Sequence, residues 1–353
     1  MMRRVTLGSS DVEVSQFCLG TMTYGNQTDQ ADAHRQIEMA VDAGITFLDT
    51  AEMYPVNPTR PETIGLTEEI VGHWLARPGN RARVEVATKI TGPSAHVRDN
   101  APYGGATIRQ AIDASLRRLQ TDQIDLYQLH WPIRGSYAFR QNWNYDPSGQ
   151  DRQRTLDHMA DVLAALADAK AAGKIRAAGL SNESAWGLMR WREVAERIGA
   201  PLMASIQNEY SLLYRLFDTD LAEVAHNEDV TLLAFSPLAA GLLTGKYQGG
   251  QIPASSRAAV DKAHGGQGAL GGRRTPKALD AVAAYQQLAK AYGLDLTHMA
   301  LTWQLTRPFK VVPILGATDS GQLQHVLAGL ETTLPPGLGE AIDRMHKQYP
   351  LPY

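Results

Sequence analysis

The chain has 353 residues, a formal net charge of −3 and a hydrophobic content of 44%. This is typical of a globular protein with a large core and argues against nucleic acid or an anionic membrane as the main partner. The single cysteine, Cys18, excludes an internal disulfide, and no segment approaches the ~20 apolar residues of a membrane span, so we expect a cytoplasmic protein without a signal peptide.

The first predicted element is a β-hairpin. Two apolar runs within residues 3–17 flank a Gly-Ser-Ser-Asp turn signal, and we expect this hairpin to close the bottom of the molecule. Eight strand-like runs follow along the chain. They end near Gly20, Asp49, Lys89, His130, Ser181, Gln207, Phe235 and Leu315.

Helical patterns separate these runs. Apolar residues recur at helical spacing in residues 108–119, 156–166 and 188–198, and the last of these has Asn182 or Ser184 as its predicted N-cap. Strand–helix alternation predicts parallel strands, and eight repeats predict a closed barrel. We therefore predict an α/β fold: a (β/α)8 TIM barrel with an N-terminal β-hairpin, forming a single domain over residues 1–353.

Three predicted loops are longer than the usual connection between strand and helix. They span residues 90–106, 131–154 and 247–275, and all three leave C-terminal strand ends, so we expect them to overhang one mouth of the barrel. The second is rich in aromatic residues and the third in glycine.

Several matches to familiar binding motifs lack the neighbouring elements that those motifs require. Gly266, Gly268 and Gly271 match G-x-G-x-x-G, but no strand precedes them and no helix pattern follows directly, which predicts a flexible loop and not a dinucleotide site. No histidine pair has the spacing of a helical zinc motif, and one cysteine cannot form a thiolate cluster. We expect no metal in the site.

Four polar residues stand where predicted strands give way to loops: Asp49, Tyr54, Lys89 and His130. Each alone has an ordinary structural interpretation, as a cap, a loop aromatic, a solvated charge or a structural histidine. In a parallel barrel, however, strand C-termini converge on the mouth where such folds carry out chemistry. The sequence therefore predicts that these four groups meet.

Together the four side chains can reduce a carbonyl group if hydride is supplied. Tyr54 would donate a proton, and Lys89 would lower the pKa of that phenol from its ordinary ~10. Asp49 would pair with Lys89, and His130 would orient the carbonyl oxygen. Protein side chains cannot supply hydride, so this chemistry requires a nicotinamide cofactor.

The chain resembles the aldo-keto reductase superfamily, in particular its bacterial Tas-like subgroup, with the potassium-channel β subunits as a related branch. The resemblance rests on motifs in family order along nearly the whole chain: GTMTYG (20–25), DTAEMY (49–54), VATK (86–89), LHWP (129–132), GLSNE (179–183), IQNEYS (206–211), FSPLAAGLLTGKY (235–247) and GAT (316–318). It implies the same barrel, NADP(H) as cofactor and the four residues above as a catalytic tetrad.

The resemblance also implies cofactor-binding positions. Ser181 and Asn182 match the set that holds the nicotinamide amide, although both could also cap a helix. The full implied set is Thr21, Met22, Asp49, Ser181, Asn182, Gln207, Phe235, Ser236, Pro237, Leu238, Ala239, Gly241, Lys246, Arg257, Gly316, Thr318 and Gln322.

The adenosine end departs from the family pattern. His325 and Val326 stand where the family usually has an acid and an asparagine, and Gln322 replaces an arginine that many members use for the 2′-phosphate. NADPH is still expected, with Arg257, Lys246 and one of Arg273 or Arg274 supplying the positive charge.

The predicted function is NADPH-dependent reduction of aldehydes or ketones to alcohols. Tyr24, Tyr54 and the aromatic 131–154 loop favour an apolar or aromatic carbonyl as the small-molecule partner. An NADPH-binding sensor with little turnover is the alternative, because fold alone does not settle function. A Schiff-base enzyme using Lys89 is a third hypothesis.

Overall fold

The computed structural model describes residues 2–353, and its centre is a closed barrel of eight parallel strands. A hairpin of β1 (Arg4–Thr6) and β2 (Glu13–Ser15) precedes the barrel and pairs antiparallel. The barrel strands are β3 (Cys18–Gly20), β4 (Phe47–Asp49), β5 (Glu85–Ile90), β6 (Ile124–Leu129), β7 (Ile175–Ser181), β8 (Met203–Glu209), β9 (Thr231–Phe235) and β10 (Val311–Leu315). Each strand pairs with the next, and β10 closes on β3. The predicted barrel, hairpin and eight strand ends are confirmed.

Helices cover the outside of the barrel. They are α1 (Gln30–Asp42), α2 (Leu66–Leu75), α3 (Gly105–Leu119), α4 (Arg152–Ala171), α5 (Ala185–Ile198), α6 (Asp220–Asn227), α7 (Arg257–Ala263), α8 (Pro276–Ala291), α9 (Leu296–Gln304), α10 (Ser320–Leu327) and α11 (Leu338–Gln348). Ser184, and not Asn182, is the N-cap of α5, since its hydroxyl accepts a hydrogen bond from the Gly187 N–H. Within residues 2–353, no helix has the length and apolar character needed to span a bilayer.

The hairpin packs under the barrel, as predicted. Leu7, Val12 and Val14 are fully buried and join the apolar cluster inside the barrel. The Gly8 N–H donates to the hydroxyl of Thr231, the first residue of β9, over 2.9 Å. Because the N-terminal ends of the strands are thus covered, only the opposite mouth is left for a ligand.

The third long loop differs from its sequence prediction. Residues 257–263 form α7, whose N-cap Ser256 accepts from the Ala259 N–H. The glycine-rich stretch follows that helix as turns, and the Gly268 N–H donates to the Asp261 carboxylate over 2.7 Å. A short helix is hard to predict here because its seven residues are mostly alanine and charged groups without a clear apolar face.

We expect Gly72→Ala to destabilise the protein, because α2 crosses α3 at this glycine. A Cβ there would lie 2.1 Å from the backbone oxygen of Arg118, which cannot move without displacing α3. The overpacking should cost about 1–3 kcal/mol of unfolding free energy in a urea titration.

Gly339→Ala is the matched control, because Gly339 is also helical and its Cβ would meet no atom within 4 Å. That variant should be unchanged or more stable by up to about 1 kcal/mol. Equal stability of the two variants would contradict the close α2–α3 packing.

Candidate active site

The four residues that the sequence predicts to carry the chemistry converge at the C-terminal mouth of the barrel. Asp49 ends β4, Lys89 lies in β5, and His130 directly follows β6. Tyr54 lies in the loop after β4. The structure therefore brings together groups that are up to 81 positions apart in the sequence.

A buried ion pair occupies the centre of this mouth. The Lys89 ammonium donates to Asp49 Oδ2 over 2.6 Å and to the Thr50 carbonyl over 2.7 Å. The Lys89 side chain is completely buried and that of Asp49 is 3% exposed. Such a pair is stable only if its remaining polar atoms are also satisfied.

Two glutamines satisfy the second oxygen of Asp49. Asp49 Oδ1 accepts from Gln207 Nε2 over 2.9 Å and from Gln128 Nε2 over 3.1 Å. The Asp49 backbone carbonyl also accepts from the Thr21 hydroxyl over 2.9 Å. The carboxylate is therefore held from three other strands, β5, β6 and β8, and fixes the position of Lys89.

Tyr54 lies beside the Lys89 ammonium, which is 5.0 Å from the centre of the phenol ring. Burial raises the pKa of Tyr54, Lys89 lowers it and Asp49 raises it, with a net value above that of free tyrosine. Burial lowers the pKa of Lys89, but Asp49 and Tyr54 raise it above its ordinary value. At neutral pH the site therefore holds a neutral phenol next to an ammonium.

The His130 imidazole completes the group. Its ring is 5.8 Å from that of Tyr54 in an edge-to-face arrangement and 4.8 Å from the Trp131 ring. Burial, together with the charge of Lys89, holds the pKa of His130 well below its ordinary value. Its Nδ1 is buried and has no hydrogen-bond partner among residues 2–353. The imidazole is thus neutral and retains a free polar atom.

Ser181, Asn182 and Gln207 form a hydrogen-bonded group next to this site. The Ser181 hydroxyl donates to the Gln207 carbonyl over 2.8 Å, and Asn182 Nδ2 donates to the His130 carbonyl over 2.9 Å. The amide nitrogens of Asn182 and Gln207 are therefore engaged. Their amide oxygens accept no hydrogen bond from the described chain, so two oriented acceptors remain for a ligand.

The turn after β9 has an unusual backbone. Ser236, Ala239 and Ala240 have φ values of +52°, +49° and +56°, in the left-handed region that non-glycine residues rarely adopt. Gly241 at +92° lies against Lys246, whose Cε would be 3.1 Å from a Cβ at that glycine. Strained backbone of this kind clusters at ligand sites.

Two cations near the mouth have no carboxylate partner in the described chain. Burial lowers the pKa of Lys246, and Asp319 partly offsets this. Burial, with the nearby charges of Arg273 and Arg140, lowers the pKa of Arg257 to about 10. Unpaired, partly buried cations are ready to bind an anion.

Arg273, in contrast, is already engaged. It donates to both oxygens of Glu209, over 2.7 and 2.9 Å, and is 4% exposed. Arg140, from the aromatic loop, reaches the same carboxylate over 3.0 Å, as does the hydroxyl of Tyr353 over 3.2 Å. Glu209 thus joins two of the long loops to the chain's last residue, and Arg273 is not available to a ligand.

The predicted adenosine end lies around the start of α10. Gln322 Nε2 donates to the Thr318 hydroxyl over 2.7 Å and to Asp319 Oδ2 over 2.6 Å. The carboxylate of Asp319, the N-cap of α10, is therefore turned toward Gln322. Gly316, just before Thr318, is exposed.

The remaining predicted cofactor residues also lie at strand ends or in the turn after β9: Met22, Phe235, Pro237 and Leu238. The sequence predicts that Tyr24 lines the mouth, and this prediction is wrong. It is fully buried, and its hydroxyl lies 3.4 Å from Gln36 on α1.

Two residues that sequence reasoning missed are central to the site. Gln128, on β6, donates to Asp49, and Glu209, at the end of β8, binds two arginines. Gln128 is a polar residue in a largely apolar strand, and Glu209 ends a strand whose last three residues are polar. Polar residues in fully buried strands were the available signal.

Comparison with known proteins identifies a family match and several relatives. A sequence profile of the aldo/keto reductase family matches residues 16–347. The protein named tas from Escherichia coli (strain K12) is 42% identical over 97% of this chain and 97% of its own length. YrpG of Bacillus subtilis (strain 168), named an uncharacterized oxidoreductase, is 32% identical over 93% of this chain and 91% of its own length. An Escherichia coli protein named NADH-specific methylglyoxal reductase is 27% identical over 97% of this chain and 100% of its own length.

We expect His130 to make the fold sensitive to acid. Its pKa is lowered in the folded state, so the unfolded chain binds the extra proton as the pH falls below about 6.5, and stability declines. His130→Gln should reduce the slope of unfolding free energy against pH in that range by up to about 1.4 kcal/mol per pH unit. This slope is measured by urea titrations at a series of pH values from neutral to acid.

His226→Gln serves as the control, because His226 is exposed on α6. It should keep the slope of the unmodified protein. A His130→Gln slope equal to that of the control would show that His130 is not held neutral by the fold.

Proposed function

Because the chain belongs to the aldo/keto reductase family and is an NAD(P)H-dependent oxidoreductase, we propose that it reduces aldehydes or ketones to alcohols. The observation that carries this is the buried Lys89–Asp49 pair beside a neutral Tyr54. A phenol next to a fixed ammonium is suited to give a proton to an oxygen on which negative charge develops. The nicotinamide, when bound, supplies the hydride.

Tyr54 is the proposed proton donor. It gives its phenolic proton to the carbonyl oxygen, and the resulting phenolate is stabilised by the Lys89 ammonium beside the ring. Asp49 keeps that ammonium in place and balances its charge in a site from which water is excluded. The proton is recovered from solvent after the alcohol leaves.

His130 is the proposed positioning group for the carbonyl oxygen. Because its imidazole is neutral, one ring nitrogen carries a proton and can donate to that oxygen without adding a positive charge beside Lys89. The edge-to-face contact with Tyr54 holds the imidazole next to the phenol. Both hydrogen-bond donors would then reach the same oxygen atom.

The residues present fit a nicotinamide dinucleotide. The free amide oxygens of Asn182 and Gln207 can accept from the N–H groups of the carboxamide, with Ser181 between them. The left-handed turn after β9 and the two unpaired cations, Lys246 and Arg257, suit the phosphates. We assign Thr21, Met22 and Phe235 to the nicotinamide end and Gly316, Thr318 and Gln322 to the adenosine end.

We propose NADPH as the preferred cofactor. Lys246 and Arg257 supply two positive charges without carboxylate partners, which favours the more highly charged nucleotide. Asp319 and Gln322, at the start of α10, offer no positive charge of their own. Since one relative is named as NADH-specific, the initial rates with NADPH and with NADH should be measured and compared in the same assay.

An apolar or aromatic carbonyl compound is the proposed substrate class. The Trp131 and Phe139 rings are 6.0 Å apart in an edge-to-face pair, and Phe139 is 42% exposed. Trp131 also contacts His130, and Gly92 gives its indole room, since a Cβ there would lie 2.1 Å from the indole nitrogen. The proposed donors are thus next to an apolar wall.

We expect Tyr54→Phe to lower kcat for reduction of an aromatic aldehyde by about 10²–10⁴-fold, because the proton donor is lost. The dissociation constant for NADPH, followed by protein fluorescence quenching, should change little. NADPH oxidation against a panel of aldehydes and ketones provides the rate.

Tyr349→Phe is the matched control, since it removes one phenolic hydroxyl at the end of α11 and should leave turnover unchanged. Normal turnover in Tyr54→Phe would disprove the proposed donor. Tight NADPH binding by the unmodified protein, with negligible rate across the whole panel, would instead favour the nucleotide-sensor function.

A further inference from the structure

Two histidines and an aspartate meet where α9 approaches α10, apart from the proposed catalytic tetrad. Asp295 is the N-cap of α9, His298 lies in its first turn, and His325 lies in the last turn of α10. One donor atom from each residue lies within 4.8 Å of the other two. Asp295 Oδ2 is 3.5 Å from His325 Nε2, and Asp295 Oδ1 is 3.9 Å from His298 Nδ1.

The His298 ring is oriented as in a metal ligand. Its Nε2 lies 2.8 Å from the backbone oxygen of His325. A carbonyl oxygen only accepts, so Nε2 carries the proton and the lone pair is on Nδ1, toward Asp295. Metal-bound histidines typically donate their other N–H to a carbonyl or carboxylate in this way.

Gly329 keeps the His298 ring in that position. A Cβ at Gly329 would lie 1.9 Å from the Cγ atom of His298 and 2.4 Å from its Nδ1, so the ring packs directly against this glycine. The His298 side chain is only 16% exposed as a result. This ring is therefore fixed before any ligand arrives.

Asp295 is fixed in a similar way. Its Oδ1 accepts from the backbone N–H groups of Thr297 and His298, over 2.7 and 3.1 Å, as the cap of α9. Capping leaves Oδ2 free of backbone contacts, and this is the oxygen closer to His325. The carboxylate thus has one oxygen for the helix and one for a ligand.

His325 is the adjustable member of the cluster. Its side chain is 53% exposed, and its ring lies 4.9 Å from that of His298 at an interplanar angle of 30°. Donors around a tetrahedral zinc ion, with bonds of about 2.0–2.1 Å, are about 3.3 Å apart. Asp295 Oδ2 and His325 Nε2, at 3.5 Å, are already close to this spacing. The other donor pairs are wider, up to 4.8 Å, and small shifts of the exposed Asp295 and His325 side chains can close them.

We propose that Asp295, His298 and His325 bind a divalent ion of the zinc class, with water in the fourth position. Two imidazoles and one carboxylate are the donors that Zn²⁺ accepts most readily after thiolates. The ion links α9 to α10 in addition to the hydrogen bond between His298 and the His325 backbone oxygen. None of its ligands belongs to the proposed tetrad, so the ion takes no part in the proposed proton transfer.

No local sequence pattern indicates this cluster, because its two histidines are not one helical turn apart. His298 and His325 are separated by 27 positions and come from different helices. Only the packing of α9 against α10 brings them together.

The test uses the full chain without a histidine tag, stripped of metal by a chelator. Titration with Co²⁺ should give the visible absorption of a four-coordinate ion at one ion per chain, and Zn²⁺ should displace it. Calorimetry with Zn²⁺ measures the affinity. His298→Ala and His325→Ala should each weaken binding by at least the ~10–100-fold seen for lesser changes around metal sites.

Asp295→Asn is an informative third variant, since asparagine still caps the helix but removes the anionic ligand. It should weaken Zn²⁺ binding without lowering the melting temperature of the metal-free protein. His226→Ala, at an exposed histidine on α6, should leave binding unchanged.

Three results would overturn the proposal. They are the absence of saturable binding, a six-coordinate Co²⁺ spectrum, and Zn²⁺ affinity equal in His325→Ala and His226→Ala. Because His325 is exposed, its replacement leaves the core intact. The His325→Ala variant therefore tests the proposed ion binding even if His298→Ala fails to fold.

Discussion

The buried pairing of Lys89 with Asp49 is the interaction on which the proposed chemistry depends. An ammonium without any exposed surface would be strongly destabilising unless a carboxylate and further acceptors met it. Here the Asp49 carboxylate and the Thr50 carbonyl meet it, and Gln128 and Gln207 in turn hold Asp49. Four barrel strands contribute to this network, so its full set of hydrogen bonds exists only in the closed barrel.

The same pair determines the charge states around it. Burial, together with the Lys89 charge, keeps His130 neutral by lowering its pKa, and the same charge offsets part of the rise in the pKa of Tyr54 that burial causes. A neutral acid and a neutral imidazole next to a permanent cation form a site that can donate protons at neutral pH. Each protonation state thus follows from burial and from one ammonium.

Much of the barrel was predictable from local pattern, because its strands are largely apolar runs that end at, or directly before, a polar or glycine residue. Asp49, Lys89 and His130 could be placed at the mouth from that pattern alone, since parallel strands share one direction. The distances between these side chains could not be predicted in the same way, because they depend on how the barrel closes. From the sequence alone, Lys89 at a strand end is interpreted as a solvated charge. The structure shows instead that its ammonium lies 2.6 Å from Asp49 Oδ2.

Long-range contacts account for what the sequence did not reveal. Glu209 binds Arg140 and Arg273 from two loops more than 60 positions away on either side, and no local pattern encodes such a partner. Arg273, one of the two arginines that the sequence offered as a further cofactor contact, is held by this carboxylate, whereas Arg257 has no such partner in the described chain. The charge available to a nucleotide is therefore decided by loop packing.

The pKa of Tyr54 tests the role of the ion pair most directly. It can be read from the Tyr54-dependent ultraviolet absorbance change, with Tyr54→Phe as the background, in the unmodified protein and in the Asp49→Asn/Lys89→Met double variant. The double variant leaves no unpaired buried charge. Since Lys89 lowers this pKa more than Asp49 raises it, the pKa should be higher in the double variant, with slower aldehyde reduction. An unchanged Tyr54 pKa would contradict the assignment of Lys89 as the group that stabilises the phenolate.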